Sequence, residues 1–147
     1  MSHRLMKIEK ELNVVVVVIR NDEGQYFIHH RRSDKHICPD LYALGIGGRV
    51  ESGEDIDCAA SRELKEEANL NKPIKFLFSM KMDHIREGET VNVFELYYND
   101  EIKNCDKEWQ WSGWMTETEI DQLIENEKLC LDTAEYYKKY KILKSNN

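Results

Sequence analysis

The sequence predicts an α/β protein in which a mixed β-sheet lies between helical layers, an α/β/α sandwich. Three observations carry that expectation. Apolar, β-branched runs stand both before and after a strongly charged segment with helical spacing. The last stretch, Thr133 to Leu143, is amphipathic enough to pack on a sheet. And the 147 residues hold no internal repeat, low-complexity tract or linker, so residues 1–147 are expected to form a single domain with a proper core.

Taken in order, Leu12 to Arg20 is a continuous β-branched run, read as a central strand buried on both faces. Asn21-Asp22-Glu23-Gly24 is a turn, after which Gln25 to Arg31 is expected to pair back as a hairpin. Alternation there sets Tyr26, Ile28 and His30 on one face and Phe27, His29 and Arg31 on the other. Arg32 to Asp40 is a polar connection, Leu41 to Leu44 a short strand, and Gly45, Gly47 and Gly48 permit a sharp approach to a helix from Asp55 to Ala68. After Asn71-Lys72-Pro73, strands are expected at Ile74 to His84 and Thr90 to Asn99, around an Arg86-Glu87-Gly88-Glu89 turn. Trp109 to Met115 is a further strand. Thr116 with Glu119 three residues on forms a capping box for a helix to about Glu127.

The net charge of −7 discourages polyanion binding, so long nucleic acid is not an expected partner. The longest apolar run, Val14 to Ile19, is too short to span a bilayer, and MSHRLMKIEKEL has no signal-type hydrophobic segment. A cytoplasmic protein without membrane contact is expected. Cys38, Cys58, Cys105 and Cys130 are widely spaced with no CxxC pair, which predicts reduced, structural cysteines rather than zinc or a disulfide. Nothing in the composition decides between a monomer and a homodimer.

The segment Gly48 to Leu70 carries the chemistry. At about 100° per residue, Ile56, Ala59, Ala60, Leu64 and Ala68 gather on one side of the helix. Glu67 falls in the middle of that stripe, Glu63 inside it and Glu66 along its edge. Rotating these acids into water would expose Ile56 and Ala60, which argues against a merely solvated charged helix. Crowded carboxylates raise one another's pKa and cost stability unless something positive sits among them. Arg62 and Arg49 are too few for Glu54, Glu63, Glu66 and Glu67. Oxygen donors without histidine or cysteine suit Mg²⁺, with Mn²⁺ the alternative.

The same stretch resembles the signature of the Nudix hydrolases, G-x5-E-x7-R-E-U-x-E-E-x-G-U, with U a bulky aliphatic residue. Gly48, Glu54, Arg62, Glu63, Leu64, Glu66, Glu67 and Leu70 fill their positions, and Asn69 replaces the last glycine. Asparagine is the usual second choice for the left-handed residue that ends a helix. The resemblance implies the Nudix α/β/α sandwich and Mg²⁺-dependent hydrolysis of a diphosphate linkage, in a nucleoside diphosphate joined to another moiety. It implies Glu63, Glu66 and Glu67 as metal ligands, with Glu54 either held by Arg62 or joining the metal shell. Glu66, Glu63 and Arg62 are then catalytic, Arg62 by orienting the acids.

The general base in such enzymes is a box glutamate or an acid on a later loop. Asp106 and Glu108 precede the Trp109 strand suitably, and Glu108 is the candidate, against a plain solvated role. Substrate binding is expected from Arg31 and Arg32, which could clamp a phosphate, and from Gly48. The region from His29 to Glu54 is also similar to the isopentenyl-diphosphate-isomerase-like branch. Tyr42 to Gly48 lacks the cysteine of the isomerases, and Cys38 is a poor substitute, so that activity is a disfavoured alternative. A nucleotide-sensing module without catalysis is a further alternative, though such modules usually lose box acids and this chain keeps them.

Overall fold

The computed structural model describes residues 12–82 and 87–146. Seven strands form one mixed sheet: β1 (Leu12–Arg20), β2 (Tyr26–Arg31), β3 (Tyr42–Leu44), β4 (Ile46–Arg49), β5 (Lys75–Met82), β6 (Glu89–Tyr97) and β7 (Trp109–Met115). Among the described residues three helices accompany them: α1 (Ile56–Ala68), α2 (Glu117–Glu125) and α3 (Leu131–Ser145). The expected strand ends Asp83 and His84 and the turn residue Arg86 lie outside the described residues, as does most of the segment read for a leader. Among the described residues no helix is long and apolar enough to cross a membrane.

β1 is the axis. It runs parallel to β6 along all nine residues, while every other strand pairing is antiparallel. Its side chains alternate between two cores. Val15, Val17 and Ile19 join Ala59, Ala60, Leu64 and Phe94 beneath α1. Val16 and Val18 join Tyr26, Ile28, Ile120, Tyr136, Tyr137 and Tyr140 beneath α2 and α3. This is the expected sandwich, and the continuous valine run follows from having helices on both faces.

The hairpin differs from expectation. β2 pairs with β1 only at Arg20 and Tyr26, then turns away to lie between β3 and β7. Its place beside β1 is taken by β4, whose Ile46 to Arg49 sit opposite Val17 to Val14. Glycine decides this substitution: a Cβ on Gly47 would collide with the Val15 carbonyl, and one on Gly45 with that of Val17. The three glycines thus belong largely to a strand and not, as expected, to an open connection. The sheet splits where β2 leaves, and the split is where the site lies.

The cysteine expectation is corrected. Cys38, in the β2–β3 connection, is disulfide-bonded to Cys130 at the start of α3, 92 residues away. Spacing along the chain could not show it, because β3 and the Tyr42–Leu129 bridge bring the two segments together. Cys58 and Cys105 are free and exposed.

Candidate active site

α1 starts and stops as its sequence directs. The Asp55 carboxylate accepts from the Cys58 N–H at 2.8 Å, and Asn69 closes the helix in the left-handed region at φ 55°. Between these caps Ala59, Ala60, Leu64 and Ala68 are buried, and Glu67 is buried among them at 6% exposure. Glu63 is half-buried and Glu66 exposed. The helical spacing therefore sets the three acids in graded environments.

Arg62 is the hub. Its Nε and Nη2 donate to the two oxygens of Glu54 at 2.7 and 3.0 Å, Nη1 to Glu63 at 2.9 Å and Glu66 at 3.2 Å, and Nη2 to the Arg49 carbonyl at 2.9 Å. The guanidinium, with the Glu51 N–H, holds Glu54 down at about 2. Arg62 itself is pushed further up, chiefly by Glu54. Of the two roles left open for Glu54, the one seen here is the Arg62 partner.

Among the described residues no arginine or lysine is hydrogen-bonded to Glu67, though Arg31 lies within electrostatic reach of it. Burial first, then a hydrogen bond and charge from Glu63, then Glu108 and Asp106, push the Glu67 carboxyl well above the ordinary range. Among the described residues no three histidine, cysteine or acidic side chains stand as a ready-made metal cluster. The donor chemistry nevertheless fits a hard divalent cation. It consists of carboxylate oxygens alone, and Arg62 leaves one buried acid uncompensated.

These acids open onto a cavity of about 580 Å³, within the size range of small-molecule sites. Glu63, Glu66, Glu67, Asp106 and Glu108 line it with Arg31, Lys35 and Arg49. Glu108 is ion-paired with Lys35. Arg31 is half-buried, and its Nε donates to the Ile37 carbonyl at 2.9 Å. Arg32 does not reach the cavity: it is exposed, paired with Asp34 at 3.0 Å. Gly48 serves space, because a Cβ there would stand 2.5 Å from the Glu63 carboxylate.

Sequence reasoning missed four wall residues. Lys35 sat unremarked in a polar connection. Asp132, in the first turn of α3, has a buried Oδ1 without a hydrogen-bond partner. Tyr136 donates to the Leu44 carbonyl at 2.8 Å. His29 stacks on Trp109 and shares a 2.8 Å hydrogen bond with the Gly45 carbonyl, and burial pushes it down to about 3. Alternation did place His29 on one face with Phe27 and Arg31, which was the available signal. Phe27, Trp109 and Trp114 are core neighbours; Trp109 also reaches the cavity. Cys38 is held in its disulfide, so it offers no thiol to the isomerase alternative.

Comparison with known proteins agrees with this geometry. Residues 10–140 match the NUDIX domain. An uncharacterised Nudix hydrolase of Streptomyces coelicolor is 34% identical over 112 residues, 73% of this chain and 61% of that protein. The 8-oxo-dGTP diphosphatase of Escherichia coli is 32% identical over 108 residues, covering 73% of this chain and 81% of that one. The crystal structure of DR0079 from Deinococcus radiodurans superposes with a TM-score of 0.77 at 26% identity, over 87% of this chain and 82% of the other.

Proposed function

This chain belongs to the Nudix family, and from that premise we propose that it hydrolyses the diphosphate linkage of a nucleoside diphosphate joined to another moiety. The observation that carries the reading is the buried, uncompensated Glu67 beside Glu63 and Glu66 in a cavity that also holds Arg31, Lys35 and Arg49. Carboxylates for a metal and cations for phosphate oxygens in one cavity are what a metal–diphosphate ligand requires. The likeness to a nucleotide diphosphatase supports a nucleotide substrate, and the acidic chain suits a small-molecule partner in the cytoplasm.

Glu63, Glu66 and Glu67 would hold Mg²⁺, with Mn²⁺ as the alternative. The bound ion would neutralise phosphate charge and make a water more acidic. Arg62 fixes the box by tying Glu54, Glu63 and Glu66 to the backbone of β4. Arg31 and Lys35 bind phosphate oxygens, Arg31 from a position preset by Ile37. Glu108 accepts the water proton once Lys35 has turned from it to the substrate.

The test is a panel of nucleotide sugars, dinucleoside polyphosphates and oxidised nucleoside triphosphates, followed by nucleotide or phosphate release. Turnover of at least one class with Mg²⁺, abolished by chelator, is expected. No turnover across the panel, together with no shift of melting temperature in millimolar Mg²⁺ or Mn²⁺, overturns the proposal.

A further inference from the structure

The connection between β2 and β3 supplies Lys35, Ile37 and Cys38 to the cavity wall, and α3 supplies Cys130, Asp132, Thr133 and Tyr136 opposite. Two of the side-chain ties on the connection border the cavity, beside others from Arg31 to the Ile37 carbonyl, from Arg32 to the Lys107 carbonyl and from Gln110 to Asp40. Lys35 pairs with Glu108 on one side, and the Cys38–Cys130 disulfide binds it to the start of α3 on the other. The backbone of the connection is not relaxed. Cys38 and Asp40 both lie in the left-handed region, at φ 51° and 61°, and neither is glycine. Such residues persist when their surroundings hold them.

We propose that the Cys38–Cys130 disulfide is a redox modification site that sets the width of the substrate cavity, so that dithiol reductants loosen substrate binding. This rests on the reading of that cavity as the substrate site. Position supports it: both cysteines line the cavity, so a small thiol entering from solvent reaches the bond. The other two cysteines are free and exposed, on α1 and on the loop before β7, and take no part. In a reducing compartment the disulfides that do form are usually transient or redox-sensing, which suits a bond at a functional wall.

The chemistry balances with a dithiol as reductant. One reductant thiolate attacks a cysteine sulfur, the Cys38–Cys130 S–S bond breaks, and the other cysteine leaves as thiolate and takes a proton. The second reductant thiol attacks the mixed disulfide, closing a cyclic disulfide and releasing the second cysteine. The protein gains two electrons and two protons. The connection then keeps its ties from Lys35, Arg32 and Gln110, and the backbone hydrogen bonds around Tyr42 stay, including Tyr42 N–H to Lys128 O at 2.8 Å, but its covalent lock to the start of α3 is gone. The wall loosens without the fold opening.

The test compares the full chain after incubation with an oxidised dithiol and after reduction with dithiothreitol, with thiols counted by alkylation and intact mass. Two alkylated cysteines in the oxidised protein and four in the reduced one are expected. Trypsin should cut after Arg32 or Lys35 several-fold faster in the reduced form. On any substrate turned over, KM should rise about fivefold or more on reduction, a change of about 1 kcal/mol, with kcat within about threefold. The Cys38→Ser variant should behave as the reduced parent in either condition, and Cys58→Ser with Cys105→Ser should switch as the parent does. Four alkylated cysteines after oxidation, or equal trypsin cleavage in the two states, overturns the proposal. Thiol counting and proteolysis need no substrate, so they decide the matter even if the hydrolase panel fails. Reduction of the parent needs no variant to fold.

Discussion

Two carboxylates are buried almost equally deeply on opposite faces of the sheet, and their surroundings differ in kind. Glu67, on α1, is 6% exposed; burial, Glu63, Glu108 and Asp106 push its carboxyl up, and Arg31 lies within electrostatic reach without pairing with it. Glu95, on β6, is 5% exposed and accepts from Tyr140 and from Lys144, the latter at 3.0 Å. Arg20 completes that second cluster by donating to the Tyr140 hydroxyl at 3.3 Å while lying over the Tyr26 ring at 3.8 Å. Burial of an acid is therefore not a mark of function by itself. An acid whose partners are donors and cations is part of the structure; an acid whose partners are other acids is held ready for a cation that the chain does not supply.

The largest test of this contrast is catalytic. Glu67→Gln or Glu66→Gln should each lower Mg²⁺-dependent turnover by about 100-fold or more, the scale of a lost transition-state electrostatic contact. Glu95→Gln should stay within about threefold of the parent, under ~0.7 kcal/mol in barrier. Turnover within threefold in all of these variants would remove the distinction. Without metal the order of stabilities should reverse. Glu95→Ala leaves Tyr140 and Lys144 without their buried acceptor and should cost about 2–4 kcal/mol by denaturant melts. Glu67→Gln relieves like-charge crowding and should leave stability level or higher.

Titration sharpens the contrast further. Glu67 is shifted up in the folded protein, so its contribution to metal-free stability is whole below the unfolded value of about 4.3 and declines as pH rises above it. His29 is shifted down to about 3, so its contribution is whole above the unfolded value of about 6.5 and declines as pH falls. Between about pH 4.3 and 6.5 the two slopes oppose, each bounded by about 1.4 kcal/mol per pH unit. Relative to the parent, Glu67→Gln should gain stability as pH rises through that window, and His29→Gln should lose it. Parallel profiles for parent and both variants would count against both assignments.

The different fates of the two acids explain what could be read in advance. Glu67 was legible because its burial is local: helical spacing alone sets it in the stripe with Ala60 and Leu64. The caps Asp55, Asn69 and Thr116 with Glu119 were legible for the same reason. Glu95 was not, since its partners arrive from α3, 45 and 49 residues on. The Cys38–Cys130 bond, the Asp132 Oδ1 that finds no partner among the described residues and the Lys35–Glu108 pair are likewise products of topology. β4 was hidden in a different way, for Ile46-Gly47-Gly48-Arg49 has no strand pattern and pairs only because glycine lets it touch Val15 and Val17.

The smallest expected effect separates two adjacent arginines. Arg31 and Arg32 are equivalent in the sequence as phosphate clamps, but strand alternation sends them apart. Arg31 faces the cavity, half-buried, near Glu67 and Glu108, and its Nε is already spent on the Ile37 carbonyl, which leaves the outer nitrogens directed by that anchor. Arg32 is exposed, bonded to Asp34 at 3.0 and 3.1 Å and to the Lys107 carbonyl at 3.4 Å, and does not line the cavity. Exposed pairs of this sort are worth about 0–1 kcal/mol, and salt screens them. Arg31→Ala should therefore raise KM by about tenfold or more, the loss of a charge-assisted contact worth about 1.5–3 kcal/mol. Arg32→Ala should leave KM and kcat within about twofold and stability within about 0.5 kcal/mol. Steady-state kinetics on the two variants under the same salt decides it. Equal losses would mean that the β2–β3 connection swings Arg32 inward when substrate binds, and that the geometry seen here is only one of its positions.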